Sequence, residues 1–354
     1  MLQRLFTTRL LKPGDLPPSD QAMRVVGVCN PAAQTFGDGV ALVARVVEQP
    51  VEQRPGQFPS PRYADGSLVT DWLDAEDCDS SDPRLYVGRR SGVVRLRFVS
   101  HLRVFLSEDG TAIDEATPAA MLIPQGPYES FGIEDPRITK IGATYYITYV
   151  GVSPHGVCTR MMSTTDFVQF HRHGTIFCPD NKDVVLFPEK VLGEYVALHR
   201  PMPSMRFSPP QVWLARSPDL LHWGNHQPLL GGDGAADAID RVGGGTPPIR
   251  TDRGWLTLYH ASDKKHGEQG VGVYTASAMI LDEDHPAKIV ARSRGPVMQP
   301  EEMFERQGFV DNVVFPTAML RRDGMLFVYY GAADENLAVC GFGVQDLLDA
   351  CLPV

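Results

Sequence analysis

Between Gly132 and Arg200 the chain sets many charged side chains among apolar ones: Gly-Ile-Glu-Asp-Pro-Arg at 132–137, Asn-Lys-Asp at 181–183, Phe-Pro-Glu-Lys at 187–190 and Leu-His-Arg-Pro at 198–201. Charges embedded in Val, Ile, Leu, Phe and Tyr runs must pair or face a wet cavity, because an unpaired buried charge costs several kcal/mol. Asp135 stands out. Glu134 precedes it, Pro136 follows it and Arg137 lies two residues on. A neighbouring carboxylate raises a carboxyl pKa and an arginine lowers it, so such a group is tunable to hold or release a proton near neutral pH, as general acid catalysis requires. The plainer alternative is an Asp/Arg ion pair that closes a sheet.

Groups able to hold an anion are spread along the chain: Arg45, Arg103, Lys182, Arg200 and His260, with the hydroxyl of Tyr259. Guanidinium forks and ammonium groups are the usual holders of phosphate oxygens. Arg45 and Arg103 lie in strand-like runs, where each could instead pair with a carboxylate of the next sheet. Tyr128, Phe131, Tyr149, Trp255 and Tyr274 offer faces for sugar rings, or simply pack between sheets. Other signals are weaker. His222 and His226 have the spacing of a zinc pair, but they follow Ser-Pro-Asp and span a turn, and His171 and His173 alternate in a polar turn. Gly243-Gly-Gly245 lacks the lysine and the helix of a phosphate loop, so a tight start to a strand is the better reading. No Gly-x-Ser-x-Gly occurs, and nothing calls for a metal.

The elements that must carry these residues are strands. Val40–Val47, Thr144–Val150, Tyr195–His199, Trp255–Tyr259 and Leu326–Tyr330 are short, β-branched and aromatic, and sustained helical periodicity is scarce. Each is preceded by a segment ending in proline: Asn30-Pro31, Asp135-Pro136, Phe187-Pro188, Pro247-Pro248 and Phe315-Pro316. A further strand follows, and three of these close on Ser and Asp, at Ser107, Ser163 and Ser217, about 55 residues apart. That is the scale of a four-stranded propeller blade. The expectation is an all-β fold, a five-bladed β-propeller over residues 1–354 as one domain, with the proline-bearing segments lining a central channel. This places Asn30, Asp135, Lys182, Asp183, Thr246 and Asn312 around one site. A Pro-, Asp- and Ser-rich stretch, 51–82, reads as a long loop serving as a lid or a homo-oligomer contact. Gln345–Cys351 reads as a short helix on the last unit.

Bulk properties agree with a small neutral substrate. The 354 residues are 43% hydrophobic and 21% charged, with a net charge of −10 and no basic block, which argues against nucleic acid. Six scattered cysteines without zinc spacing suggest reduced thiols in the cytoplasm. Arg9 and Lys12 interrupt the first apolar run before a signal-peptide core forms, and no run is long enough to span a membrane.

Taken in order, Gly-Ile-Glu-Asp-Pro-Arg-Ile-Thr-Lys (132–140), Asn-Lys-Asp-Val-Val-Leu-Phe-Pro-Glu-Lys (181–190), Leu-His-Arg-Pro (198–201), Gly-Trp-Leu-Thr-Leu-Tyr-His (254–260) and Tyr-Tyr-Gly-Ala-Ala-Asp (329–334) resemble glycoside hydrolase family 130. That family holds β-mannoside phosphorylases and some β-mannosidases on a five-bladed propeller. The resemblance runs from Val25 to Asp334. Ser-His-Leu-Arg at 100–103, Asn-Lys-Asp-Val at 181–184 and 308–315 are nearest to members acting on β-1,2-linked mannose. It implies inverting phosphorolysis of a terminal β-mannoside to α-mannose 1-phosphate, with inorganic phosphate as co-substrate and no cofactor. Asp135 is then the acid, delivering its proton through the sugar's own 3-hydroxyl. Substrate contacts fall to Asn30, Arg45, Arg103, Glu134, Asp183 and Asp334, and phosphate contacts to Lys182, Arg200, Tyr259 and His260.

Two departures lie near the implied phosphate site: Tyr-His-Ala-Ser-Asp at 259–263, followed by a polar insertion at 264–270, and Phe-Pro-Thr-Ala at 315–318. They leave acceptor preference open. An inverting β-mannosidase of the same family is the alternative; it needs two carboxylates about 6.5–9.5 Å apart, and Glu268 is an available second one. A non-catalytic sugar-binding propeller fits less well, because binding alone does not call for the Glu134-Asp135 pair.

Overall fold

Each β-branched segment picked out by sequence pattern is the second strand of an antiparallel sheet, and each proline-bearing segment belongs to or follows that sheet's first strand. The computed structural model describes residues 2–113, 118–202, 210–231, 241–264 and 270–354, so Glu268 lies outside the described residues. The first sheet runs Met23–Phe36, Gly39–Pro50, Val99–Ser107 and Ala120–Leu122. The second is Gly132–Ile141, Thr144–Ser153, Gly156–Thr164 and His171–Phe177. The third is Asn181–Leu186, Tyr195–Pro201, Val212–Ser217 and Gly224–Leu230. Arg241–Gly244, Gly254–Ser262, Tyr274–Leu281 and Ile289–Ser293 form the fourth, extended by Cys351–Pro353 and by Ile249–Thr251. The fifth combines Val314–Arg322, Met325–Ala332 and Asn336–Gly343 with Phe6–Leu11 from the opposite end of the chain.

Alternate side chains leave a strand on opposite faces, and here both faces are apolar. In Gly39–Pro50, Leu42 joins Phe105, Tyr329 and Val339 in a cluster between the first and fifth sheets, while Val43 joins Leu102, Ile133 and Ile147 between the first and second. Met161 and Leu186 bridge the second and third, Leu198 and Trp255 the third and fourth, and Leu256 and Val328 the fourth and fifth. Five apolar cores thus link five sheets in chain order and return to the first. Each fully buried Leu, Ile or Val contributes roughly 1.5–3 kcal/mol. The expected C-terminal helix is present at Val344–Ala350, with Leu347 and Leu348 in the last of these cores.

The segment 51–82 is not a loop. It forms a hairpin, Gln57–Ala64 with Ser67–Asp74, and enters a three-stranded sheet of Cys78–Asp79, Leu85–Gly88 and Val94–Leu96, so the insertion runs on beyond 82. Pro59 and Pro61 suggested a loop, yet they share the strand parity of Tyr63, whose N–H leaves the hairpin to reach the Ser130 carbonyl at 2.7 Å. Proline is tolerated on such an outward edge because no ladder donor is lost there.

Candidate active site

The first strands of the sheets share one irregularity. Cys29 pairs with Arg45 and Ala32 with Val43, so Asn30-Pro31 face a single residue; Asp135-Pro136 and Asp183-Val184 repeat the pattern, and the fifth sheet slips between Pro316 and Ala318. In the fourth, the N–H groups of Gly245 and Thr246 both reach the Leu258 carbonyl. These are β-bulges, which re-aim side chains. Asn30, Asp135 and Asp183 occupy the left-handed region with φ of 48°, 48° and 57°. Asn and Asp tolerate it better than other residues with a Cβ, and proline suits the next position because a bulge has no use for its missing N–H.

The bulges bring the first group together. Asn30 Nδ2 donates to Asp135 Oδ1 at 2.8 Å, Arg45 Nη1 donates to the same oxygen at 3.0 Å, and Arg45 Nη2 donates to Glu134 Oε1 at 2.7 Å. Arg45 Nε donates to Ser100 Oγ at 3.1 Å. Asp334 lies close enough for its charge to act on Arg45. Burial alone would raise the Asp135 pKa, but Arg45, Arg137 and the Asn30 bond together hold it below the usual carboxylate range. Burial prevails over Arg45 at Glu134 and at Asp334, and both carboxyls titrate above their ordinary values. The carboxyl pair is therefore split: Asp135 ionised, Glu134 the proton-richer partner.

A second group lies on the third and fourth sheets. Arg200 Nε donates to Asp183 Oδ2 at 2.7 Å, His260 Nε2 stands 3.5 Å from that oxygen, and Arg137 Nη2 stands 3.7 Å from Asp183 Oδ1. Burial would raise the Asp183 pKa, yet Arg200, His260, Arg137 and Lys182 hold it far below the usual range. Burial lowers His260 to about 3 and keeps it neutral. Half-buried Lys182 makes no ion pair among the described residues, while its charge favours ionised Asp135 and Asp183. Three cations, Arg137, Lys182 and Arg200, surround one carboxylate, leaving an excess of positive charge for an anion.

Arg137 ties the two groups: Nη1 donates to the Asp135 carbonyl at 2.6 Å and Nε to the Gly245 carbonyl at 3.0 Å. Among the described residues, nine buried side-chain nitrogen or oxygen atoms have no hydrogen-bond partner, and four belong here: Asn30 Oδ1, Arg137 Nη2, Asp183 Oδ1 and His260 Nδ1. Folded proteins leave few such atoms, so their clustering marks where a polar ligand completes the bonding.

Two expected residues are not brought in. Arg103 lies on the opposite face of its strand from Ser100; it donates to His101 Nε2 at 2.9 Å, the Pro17 carbonyl at 2.8 Å and Glu48 Oε1 at 3.2 Å, pinning the N-terminal segment. Tyr259 precedes His260 on one strand and so points the other way, into the apolar core of Val185, Leu198 and Met279. The alternation of strand side chains decides both. Thr246 is buried in its sheet, its hydroxyl accepting the Leu258 N–H, and Asn312 is exposed. Phe187-Pro188 follows its strand rather than marking the bulge. The clamping role of Arg137 and the part of Ser100 were not read from sequence; the Asx-x-Arg spacing of 135–137 was the available signal.

A family profile described as beta-1,4-mannooligosaccharide phosphorylase (glycoside hydrolase 130) matches residues 97–352. The beta-1,2-mannobiose phosphorylase of Listeria innocua is 35% identical over 348 residues, 96% of this chain and 95% of that protein. The 1,2-beta-oligomannan phosphorylase of a Thermoanaerobacter species is 34% identical over 71% of this chain and 81% of its own. The solved Listeria innocua beta-1,2-mannobiose phosphorylase, in complex with beta-1,2-mannobiose, superimposes with a TM-score of 0.88 over 98% of this chain and 99% of that one, at 34% identity. The chain belongs to glycoside hydrolase family 130.

Proposed function

We propose that this protein cleaves a terminal β-mannoside, of the β-1,2-linked manno-oligosaccharide class, by inverting phosphorolysis to α-mannose 1-phosphate and a shortened acceptor. The observation that carries this reading is the adjacency of one carboxyl held by Asn30 and Arg45 to a separate pocket with surplus positive charge at Arg137, Lys182 and Arg200. A hydrolase would need a second carboxylate as base, and the carboxylate in that pocket, Asp183, is occupied by Arg200 and Arg137. The relatives' names support the substrate class. The five apolar cores that link the sheets and return to the first support a five-bladed propeller, with Phe6–Leu11 completing the last blade.

In this reading the terminal mannose binds against Asn30, Arg45, Glu134, Asp135 and Asp334, and phosphate against Lys182, Arg200 and His260. A phosphate oxygen bonds to C1 from one face as the C1–O bond to the acceptor breaks on the other. Asp135 takes a proton from the incoming dihydrogen phosphate, and as the C1–O bond breaks this proton passes through the sugar's 3-hydroxyl to the acceptor oxygen, which returns Asp135 to its ionised state. The low resting pKa of Asp135 fits this order: the phosphate charge and the exclusion of water by the sugar both raise it, so the acid forms only in the loaded site. The reaction needs no cofactor beyond phosphate, and free cysteines are in keeping with the cytoplasm.

The test is β-1,2-mannobiose incubated with and without inorganic phosphate, with mannose 1-phosphate and mannose measured together. Phosphate-dependent mannose 1-phosphate is the expected result. Mannose released equally without phosphate would make the protein a hydrolase and overturn the proposal.

A further inference from the structure

We propose that Arg84, carried by the strand-built insertion, binds the sugar that follows the scissile mannoside and so selects the acceptor; this rests on the mannoside-cleaving reading above.

The insertion is tied together by its own contacts and to the body through Tyr63. Ser60 Oγ donates to the Leu96 carbonyl at 2.9 Å, Tyr63 packs with Met23 and Val99, and Phe58 stacks on Tyr86 at 4.7 Å. Arg97 lies over the same Tyr86 ring at 4.6 Å. One end of the smaller sheet, where Leu85 pairs with Leu96, meets the site. At its base, Phe98 lies under the Arg45 guanidinium at 5.6 Å and packs edge-on against Phe309 at 6.0 Å. At the same end, Arg84, bonded through its carbonyl to the Arg97 N–H, is close enough to Asp334 for their charges to interact.

Arg84 is held rigidly. Asp82 accepts Nε at 3.0 Å, Nη2 at 2.7 Å and the Arg84 main-chain N–H at 2.8 Å, while the Arg84 carbonyl accepts the Arg97 N–H at 3.1 Å. Nη1 makes no hydrogen bond among the described residues, and the side chain is 26% exposed. The Arg84 carbonyl holds the Arg97 N–H, and the next residue, Phe98, lies under the Arg45 guanidinium that grips Asp135, so Arg84 sits beside the group proposed to seat the terminal mannose. The Asp82 fork already balances its charge, so the free edge suits neutral hydroxyls rather than phosphate, for which Lys182 remains uncompensated. A preorganised donor also costs little to order on binding. Most of the insertion, Arg84 included, falls outside the stretch matched by the family profile.

The experiment compares wild type, Arg84→Ala and Arg54→Ala, the last an exposed residue of the same insertion paired with Glu52. In the synthetic direction, from α-mannose 1-phosphate and mannose, Arg84→Ala should raise KM for mannose about 10- to 100-fold, the worth of a charged hydrogen bond. KM for α-mannose 1-phosphate and, in the forward direction, for phosphate should stay within about twofold, well below that range. Arg54→Ala should match wild type. An unchanged mannose KM, or a rise confined to phosphate, overturns the proposal. Calorimetric titration with β-1,2-mannobiose requires no turnover: weaker binding in Arg84→Ala alone supports the subsite even if the wild type never cleaves the sugar, which would instead remove the phosphorolytic reading. Equal binding in all three proteins overturns the subsite. Unchanged thermal melting of Arg84→Ala excludes misfolding as the cause.

Discussion

Arg137 donates to the main-chain carbonyl of Asp135 at 2.6 Å, so the residue two places on clamps the left-handed bulge that aims the carboxyl. The same guanidinium reaches Gly245 on another sheet. A lysine here keeps the charge and loses the fork. Arg137→Lys should lower kcat about 100-fold, the scale of a 1 Å misplacement, with KM for the disaccharide nearly unchanged. Steady-state kinetics decide it: a rise in KM at unaltered kcat would make Arg137 a binding group and not a clamp.

Asp135→Asn and Asp135→Ala should separate chemistry from conformation. Both remove the acid and should cut turnover by about 10²–10⁴. Asn retains an oxygen for the Asn30 bond and tolerates φ of 48°, whereas Ala does neither. Denaturant unfolding should therefore place the Ala variant below the Asn variant by about 1–3 kcal/mol. Near-normal activity in Asp135→Asn would exclude Asp135 as the acid.

The chain's own pattern was enough to place the strands, because β-branched alternation and punctuating prolines act locally. It was enough for Asn30 and Asp135 because a left-handed bulge selects Asn or Asp and proline marks the next position; at Asp183 the next residue is Val184, and only the charged Asn-Lys-Asp run pointed there. It misled at Tyr259 and Arg103, where motif adjacency ignored the two-residue period that turns neighbouring side chains to opposite faces. It misled at 51–82, where prolines on an outward strand edge look the same as prolines in a loop. Arg84 could not be found at all, since its nearness to Asp334 comes from how the insertion folds back over the body.

Gly243 illustrates a constraint that only the packing reveals. A Cβ there would stand 2.3 Å from Asp183 Oδ2 and 2.5 Å from the His260 ring, both among the most buried side chains of the anion pocket. Neither can yield, so Gly243→Ala should displace Asp183 or His260 and raise KM for phosphate about tenfold or more, while KM for the sugar moves less. Equal shifts in both constants would show that the pocket and the sugar site are one mechanical unit.

His101, His199 and His260 should make the fold acid-sensitive well above the carboxylate range. Burial holds each near a pKa of about 3. In the unfolded chain each titrates near its usual value of about 6.5. As pH falls through that window the unfolded state gains protons that the folded state refuses, so stability drops by up to about 1.4 kcal/mol per pH unit for each histidine. Glu48, Glu134 and Asp334, raised by burial, bind protons first in the folded state and oppose the trend. A variant isolates one contribution. His199 lies between Asn181 Nδ2 at 2.9 Å and His226 Nδ1 at 3.1 Å, so His199→Gln should cost stability at pH 8 through those bonds. The deficit should then shrink as the pH is lowered from about 6.5 to 4, because glutamine has no proton to be refused. Urea unfolding of both proteins across that range gives the answer, and parallel curves would mean that His199 is protonated in the folded state.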